Sequence, residues 1–218
     1  VYPPPDLKLE DCRGHGAHTE LLIVEGDSAA GAVCRVRDEA FQAVLPLQGK
    51  PLNAAKASVE RVRSFPIYKA LVDAAGAGMG ETFALEHLRY GRFVLLMDPD
   101  ADGIHCGLLM LFFFHRFMRP ALQAGRVQVV QAPLASLSGP AYPEPIHPHT
   151  DAELRSALAQ IHAQRHEGVH TVRYRGLAGI DPPTLAHTCV HPATRRARVL
   201  TVADAQAAMQ VFGSASGD

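Results

Sequence analysis

The chain has 218 residues, enough for one large domain or two small ones with a real core. Its net charge of −1 excludes a global pull toward nucleic acid, so binding to a polyanion must rest on local patches. The most apolar stretch, 107–114, is far shorter than the roughly 20 residues of a membrane span, and Cys12, Cys34, Cys106 and Cys189 lack CxxC spacing, which argues against zinc and fits a reduced cytosol.

Residues 1–19 read as a lead-in, with Pro3-Pro4-Pro5 and a Gly/His-rich stretch. No secretory pattern opens the chain, and Val1 reads as a mid-protein or processed start. From Glu20 apolar runs alternate with helical patterns. Strands are expected at 20–24, 42–46, 93–97 and 126–131, and helices at 28–37, 53–62, 66–75 and 104–123. That alternation predicts an α/β fold with a parallel sheet and right-handed crossovers. Gly76, Gly78 and Gly80 follow the helix expected at 66–75 and read as its flexible C-terminus, since the spacing is not Gly-x-Gly-x-x-Gly and no strand precedes them. No Gly-Lys-Ser/Thr loop occurs, so no ATP site is expected. Residues 138–150 hold four prolines and read as a linker. A small α+β unit over 151–218 is expected beyond it, with a helix at 151–166, a strand at 169–174 and a helix at 203–212. His162 and His166 are four apart on the first of these helices and read as a solvated face rather than a zinc pair, for want of an acidic third ligand.

Chemistry concentrates in two acidic clusters, each ending an apolar run: Glu25-Gly26-Asp27-Ser28-Ala29 and Asp98-Pro99-Asp100-Ala101-Asp102-Gly103. Carboxyl ends of strands are where sites form in open α/β sheets. Glu25, Asp98, Asp100 and Asp102 are therefore expected to converge on one crevice, and oxygen ligands of that density suit a hard cation such as magnesium. A calcium loop is rejected, because Leu109 stands where the bidentate glutamate would be and a strand precedes the cluster. The helix start at Ile104-His105 favours anions, and the loop Pro46-Leu47-Gln48-Gly49-Lys50-Pro51-Leu52-Asn53 carries a cation and an amide. Together these describe a phosphodiester site.

Glu-Gly-Asp-Ser-Ala, Pro-Leu-x-Gly-Lys-x-Leu-Asn and Asp-x-Asp-x-Asp-Gly-x-His, in this order, resemble the Toprim domain of type IIA DNA topoisomerases, in particular the B subunits of bacterial gyrase and topoisomerase IV. The likeness continues through Leu88-Arg89-Tyr90-Gly91, Ala132-Pro133-Leu134 and Arg173-Tyr174-Arg175-Gly176-Leu177 to His191-Pro192-Ala193-Thr194-Arg195-Arg196, covering about residues 7–212. It implies a Toprim-like Rossmannoid sheet over 20–137 and a tail unit of the gyrase B type over 151–218. It also implies magnesium-dependent cleavage and religation of double-stranded DNA, with manganese or calcium able to substitute in binding. Glu25 and Asp98 would serve the metal at the reacting centre, Asp98 and Asp100 a second ion, and Asp102 the surrounding shell. Glu25 is also placed to move protons at the 3′ oxygen. Lys50 and Asn53 match DNA-contacting positions, and His105 matches a histidine placed for DNA phosphate or for a helix-start hydrogen bond.

The resemblance further implies a heterotetramer in the cytoplasm with no membrane contact. The attacking tyrosine would come from a gyrase A- or topoisomerase IV A-like subunit, and ATP hydrolysis would belong to a domain outside this chain. Tyr90 and Tyr174 match structural Arg-Tyr positions rather than the nucleophile. Three departures stand out: Gln48 where Lys or Arg is usual, Pro99 inside the aspartate cluster, and Arg175-Gly176-Leu177-Ala178-Gly179 where Lys-Gly-Leu-Gly-Glu is usual. The alternatives are a non-catalytic Toprim scaffold and a standalone Toprim nuclease.

Overall fold

The apolar runs at 21–24 and 93–96 are fully buried; such continuous runs suit strands covered on both faces. The computed structural model describes residues 8–214; Pro3-Pro4-Pro5 of the expected lead-in and residues 215–218 of the expected tail lie outside them. The main sheet has five strands: β1 (Gly16–Glu25), β2 (Gln42–Leu47), β3 (Tyr90–Leu96), β4 (Val127–Val130) and β8 (Ala197–Val199), in the order β2-β1-β3-β4-β8. The first four are parallel, as expected from the alternation, and β8 adds an antiparallel edge.

Alternate side chains of these strands feed two cores. Leu21, Ile23, Leu45, Phe93 and Leu95 pack with α3 (Pro66–Ala75), α4 (Ala101–Phe117) and α5 (Arg119–Gln123). Leu22, Val24, Val44, Val94 and Leu96 face the other way, onto α1 (Gly26–Cys34) and a late segment carrying Leu177, Ile180, Leu185, Cys189 and Val190. That segment includes the short α7 (Pro182–Leu185). The C-terminal part of the chain thus lies directly on the main sheet. A buried ion pair ties it there: Arg195 donates to both Glu20 oxygens, at 2.6 and 2.7 Å, with Arg92 and Gln42 donating to the same carboxylate.

Several elements differ from the sequence expectation for identifiable reasons. The helix expected at 104–123 is two, because Pro120 cannot continue the α4 hydrogen-bond ladder. Within 53–62, Asn53 and Ser58 bond local backbone N–H groups, and helix begins only at α2 (Val59–Ser64). A hairpin of β5 (Ala135–Gly139) and β6 (Tyr142–Ile146) crosses the start of the stretch read as a linker, and β7 (His170–Arg173) completes it into a three-stranded sheet. Pro143 and Pro145 sit on β6, an edge strand where a missing N–H is tolerated. Helix α6 (Asp151–Ala163) covers this sheet through Leu154 and Ile161, and α8 (Val202–Ser214) packs on α4.

Candidate functional site

Val24 and Leu96 are paired in register, so β1 and β3 end at the same level. Glu25 closes β1, and Gly26 turns the chain into α1 with φ +68°, a conformation that favours glycine. One residue beyond Met97, the Asp98 N–H donates to Glu25 Oε1 at 3.2 Å. Asp98 Oδ1 in turn accepts from the backbone N–H of Leu177 at 2.9 Å. Asp100 caps α4, its Oδ1 accepting from Gly103 N–H at 2.8 Å. Pro99 precedes this cap, outside the helix, where its missing N–H costs no helical bond. Gly103 is packed so closely that a methyl group there would stand 2.1 Å from the Asp98 carbonyl oxygen and 2.8 Å from Glu25 Oε1.

Glu25, Asp98 and Asp100 feel one another electrostatically. Burial pushes the Glu25 carboxyl above its usual range, the Asp98 N–H opposes this, and repulsion from Asp98 and Asp100 adds to it. Asp98 is raised likewise by burial and by Asp100, against the Leu177 N–H. Cys106, in the second turn of α4, hydrogen-bonds Glu25, and burial beside that carboxylate pushes its thiol up to about 11. Among the described residues no group of three or more His, Cys, Asp or Glu side chains is gathered closely enough to hold an ion by itself. Magnesium is ordinarily held by one or two carboxylates with several waters retained, so the open set of Glu25, Asp98 and Asp100 has the donor chemistry that ion takes.

The remaining candidates lie around this centre. The Asp102 side chain is 83% exposed and pairs with Lys50 at 3.2 Å, away from the buried carboxylates. Asn53 Oδ1 accepts from Ala55 N–H and shapes the loop. The His105 ring packs 5.8 Å from Phe212 on α8. Gln48 donates to Asp27, and Lys8 donates to both Asp27 and Gln48. Sequence reading missed Lys8, Cys106, Gly176 and Leu177. Cys106 could have been found from its place one turn after the aspartate cluster; Gly176 and Leu177 stand in a stretch that carries the family likeness, but nothing in the sequence ties that stretch to Asp98, and Lys8 leaves no local signal. Tyr90 is buried with its hydroxyl donating to Asp11 at 2.6 Å, and His166 is bonded to Tyr142.

The family model of the Toprim domain matches residues 20–132. The chain is 38% identical to the DNA gyrase B protein of Thermotoga maritima over 206 residues, which is 94% of this chain and 32% of that protein. It is 37% identical to the DNA gyrase B protein of Halalkalibacterium halodurans and 36% to that of Archaeoglobus fulgidus, each over 97% of this chain. It spans about a third of the length of these relatives.

Proposed function

The chain belongs to the Toprim domain family, and on that footing we propose that it is the metal-carrying part of a gyrase B-like type IIA DNA topoisomerase. It would act on double-stranded DNA in the cytoplasm, in a heterotetramer with an A-type subunit that supplies the attacking tyrosine. The observation that carries this reading is the junction of the β1 and β3 ends, where the Asp98 N–H rests on Glu25 and Asp100 heads the next helix.

Glu25, Asp98 and Asp100 would hold magnesium, with manganese or calcium able to replace it in binding; the ion supplies stabilisation of charge developing on the phosphodiester. Glu25, whose carboxyl is raised by burial, would exchange a proton with the 3′ oxygen. Asp102 serves one step removed, by steering Lys50. Lys50 would then meet a DNA phosphate, with Asn53 shaping its loop; His105, in the second turn of α4 beside Phe212, would contact the same backbone.

Calorimetric titration with Mn²⁺ tests the site: the wild type binds and Asp98→Ala does not. Equal binding by both would remove Asp98 from it. Mixed with a cognate A-type subunit, the protein should cleave plasmid in a metal-dependent way, and alone it should cleave none. Metal-dependent nicking by the chain alone, lost in Glu25→Ala, would favour the nuclease alternative.

A further inference from the structure

The matched family segment ends at residue 132, yet Asp98 is gripped from beyond it. Leu177 N–H donates to Asp98 Oδ1 across 79 residues of sequence. Leu177 cannot easily drift from that position. Its side chain is 0% exposed in the core shared with Val24 and Leu96, and Tyr174 N–H just upstream is bonded to the Leu134 carbonyl. The neighbouring Gly176 lies flat against the same carboxylate. A methyl group there would stand 2.8 Å from Oδ2, 3.1 Å from Cγ and 3.2 Å from Oδ1 of Asp98.

We infer that Gly176 and Leu177 are positioning residues for Asp98: the tail fixes the rotation of this carboxylate, one face lying on the Gly176 Cα and one oxygen on the Leu177 N–H. The inference rests on the reading of Glu25 and Asp98 as metal carboxylates. Groups that hydrogen-bond a ligand and set its orientation commonly govern affinity almost as strongly as the ligands themselves. A backbone donor can do this for any residue at 177, whereas the close approach at 176 excludes even one methyl. Gly176 has φ −170°, extended backbone open to alanine. The three atoms nearest to the added methyl all belong to the Asp98 side chain, so Gly176→Ala would turn that carboxylate away from the Leu177 N–H rather than displace backbone. Gly179, three residues on, has open space where its Cβ would be.

Two measurements test this. In Mn²⁺ titrations of the whole chain, Gly176→Ala should bind about 10- to 100-fold more weakly than wild type, while Gly179→Ala binds as wild type does. In amide hydrogen exchange without metal, Asp98→Ala should speed exchange at Leu177 by about tenfold or more, since a bond to a charged acceptor is lost. The second readout stands even if Gly176→Ala does not fold. Unchanged Mn²⁺ affinity in a folded Gly176→Ala, or unchanged exchange at Leu177, overturns the positioning role and leaves the carboxylate site intact. A wild type that binds no Mn²⁺ overturns the site itself and the positioning role with it.

Discussion

At the scale of single residues, the candidate site is a place where the fold works against itself. Glu25 and Asp98 are partly buried and repel each other, and both carboxyls are raised above their ordinary range. A carboxylate raised in the folded state stabilises the fold only below its unfolded pKa, and that contribution is lost as pH rises through the folded value. At neutral pH the ionised pair therefore costs stability. Asp98→Asn, which keeps an oxygen for the Leu177 N–H, should raise the melting temperature of cation-free protein at pH 7. The gain should shrink as pH falls and vanish only below pH 3.8, where the aspartate becomes protonated in the unfolded state as well. Each kcal/mol relieved is worth about 2–4 °C for a chain of this size. The same variant should show no further rise on adding Mg²⁺, whereas the wild type should. That Glu25, Asp98 and Asp100 lie close together was expected from the sequence, because carboxylates that end apolar runs fall at strand ends. Asp102 was not separable from them, because spacing alone does not show that the first turn of α4 rotates it outward to Lys50. Gln48 illustrates the converse: the cation missing at that position has Lys8 beside it, 40 residues earlier.

At the scale of elements, α4 is the part most constrained by its surroundings. Its residues 109–114 are all buried, with Phe113 stacked on Tyr68 at 4.3 Å. Its first turn is wedged against both strand ends at Gly103. Gly103→Ala would clash with the backbone oxygen of Asp98, so the helix itself must move. Overpacking of this kind costs about 1–3 kcal/mol. Chemical denaturation should show that loss, accompanied by weaker Mn²⁺ binding because the Asp100 cap moves with the helix. A variant as stable as wild type would mean that α4 slides freely over the strand ends. The four parallel strands were readable because their apolar runs are long and bounded by turn residues. The hairpin β5–β6 was not, since its prolines mimic a linker, and β8 was not, since three exposed residues carry no alternation to detect.

At the scale of the whole molecule, the Glu20–Arg195 pair decides whether the tail stays on the sheet. Both side chains are almost completely buried, at 3% and 2% exposure. Burial alone would raise the Glu20 carboxyl, but the bonds from Arg195, Gln42 and Arg92 outweigh it and hold the group below its usual range. A depressed carboxylate contributes stability above its unfolded value and loses it as pH falls through the folded one. Stability should therefore begin to fall below pH 4.5. Arg195→Ala strands a buried charge, at a cost of about 3–5 kcal/mol. Urea denaturation across pH 3–7 should show that deficit at pH 7 and its narrowing as Glu20 protonates. A deficit independent of pH would mean the loss is one of packing rather than charge.

The cover that residues 177–190 lay over one sheet face has a consequence in time. Arg195 leaves the ribosome 175 residues after Glu20, an interval of about 10–35 seconds at ordinary synthesis rates. For most of it Leu22 and Val24, joined later by Val94 and Leu96, lack their C-terminal partners at 177–190. The nascent chain thus waits with a greasy flank open, and whatever shelters it then must let go before Arg195 can dock.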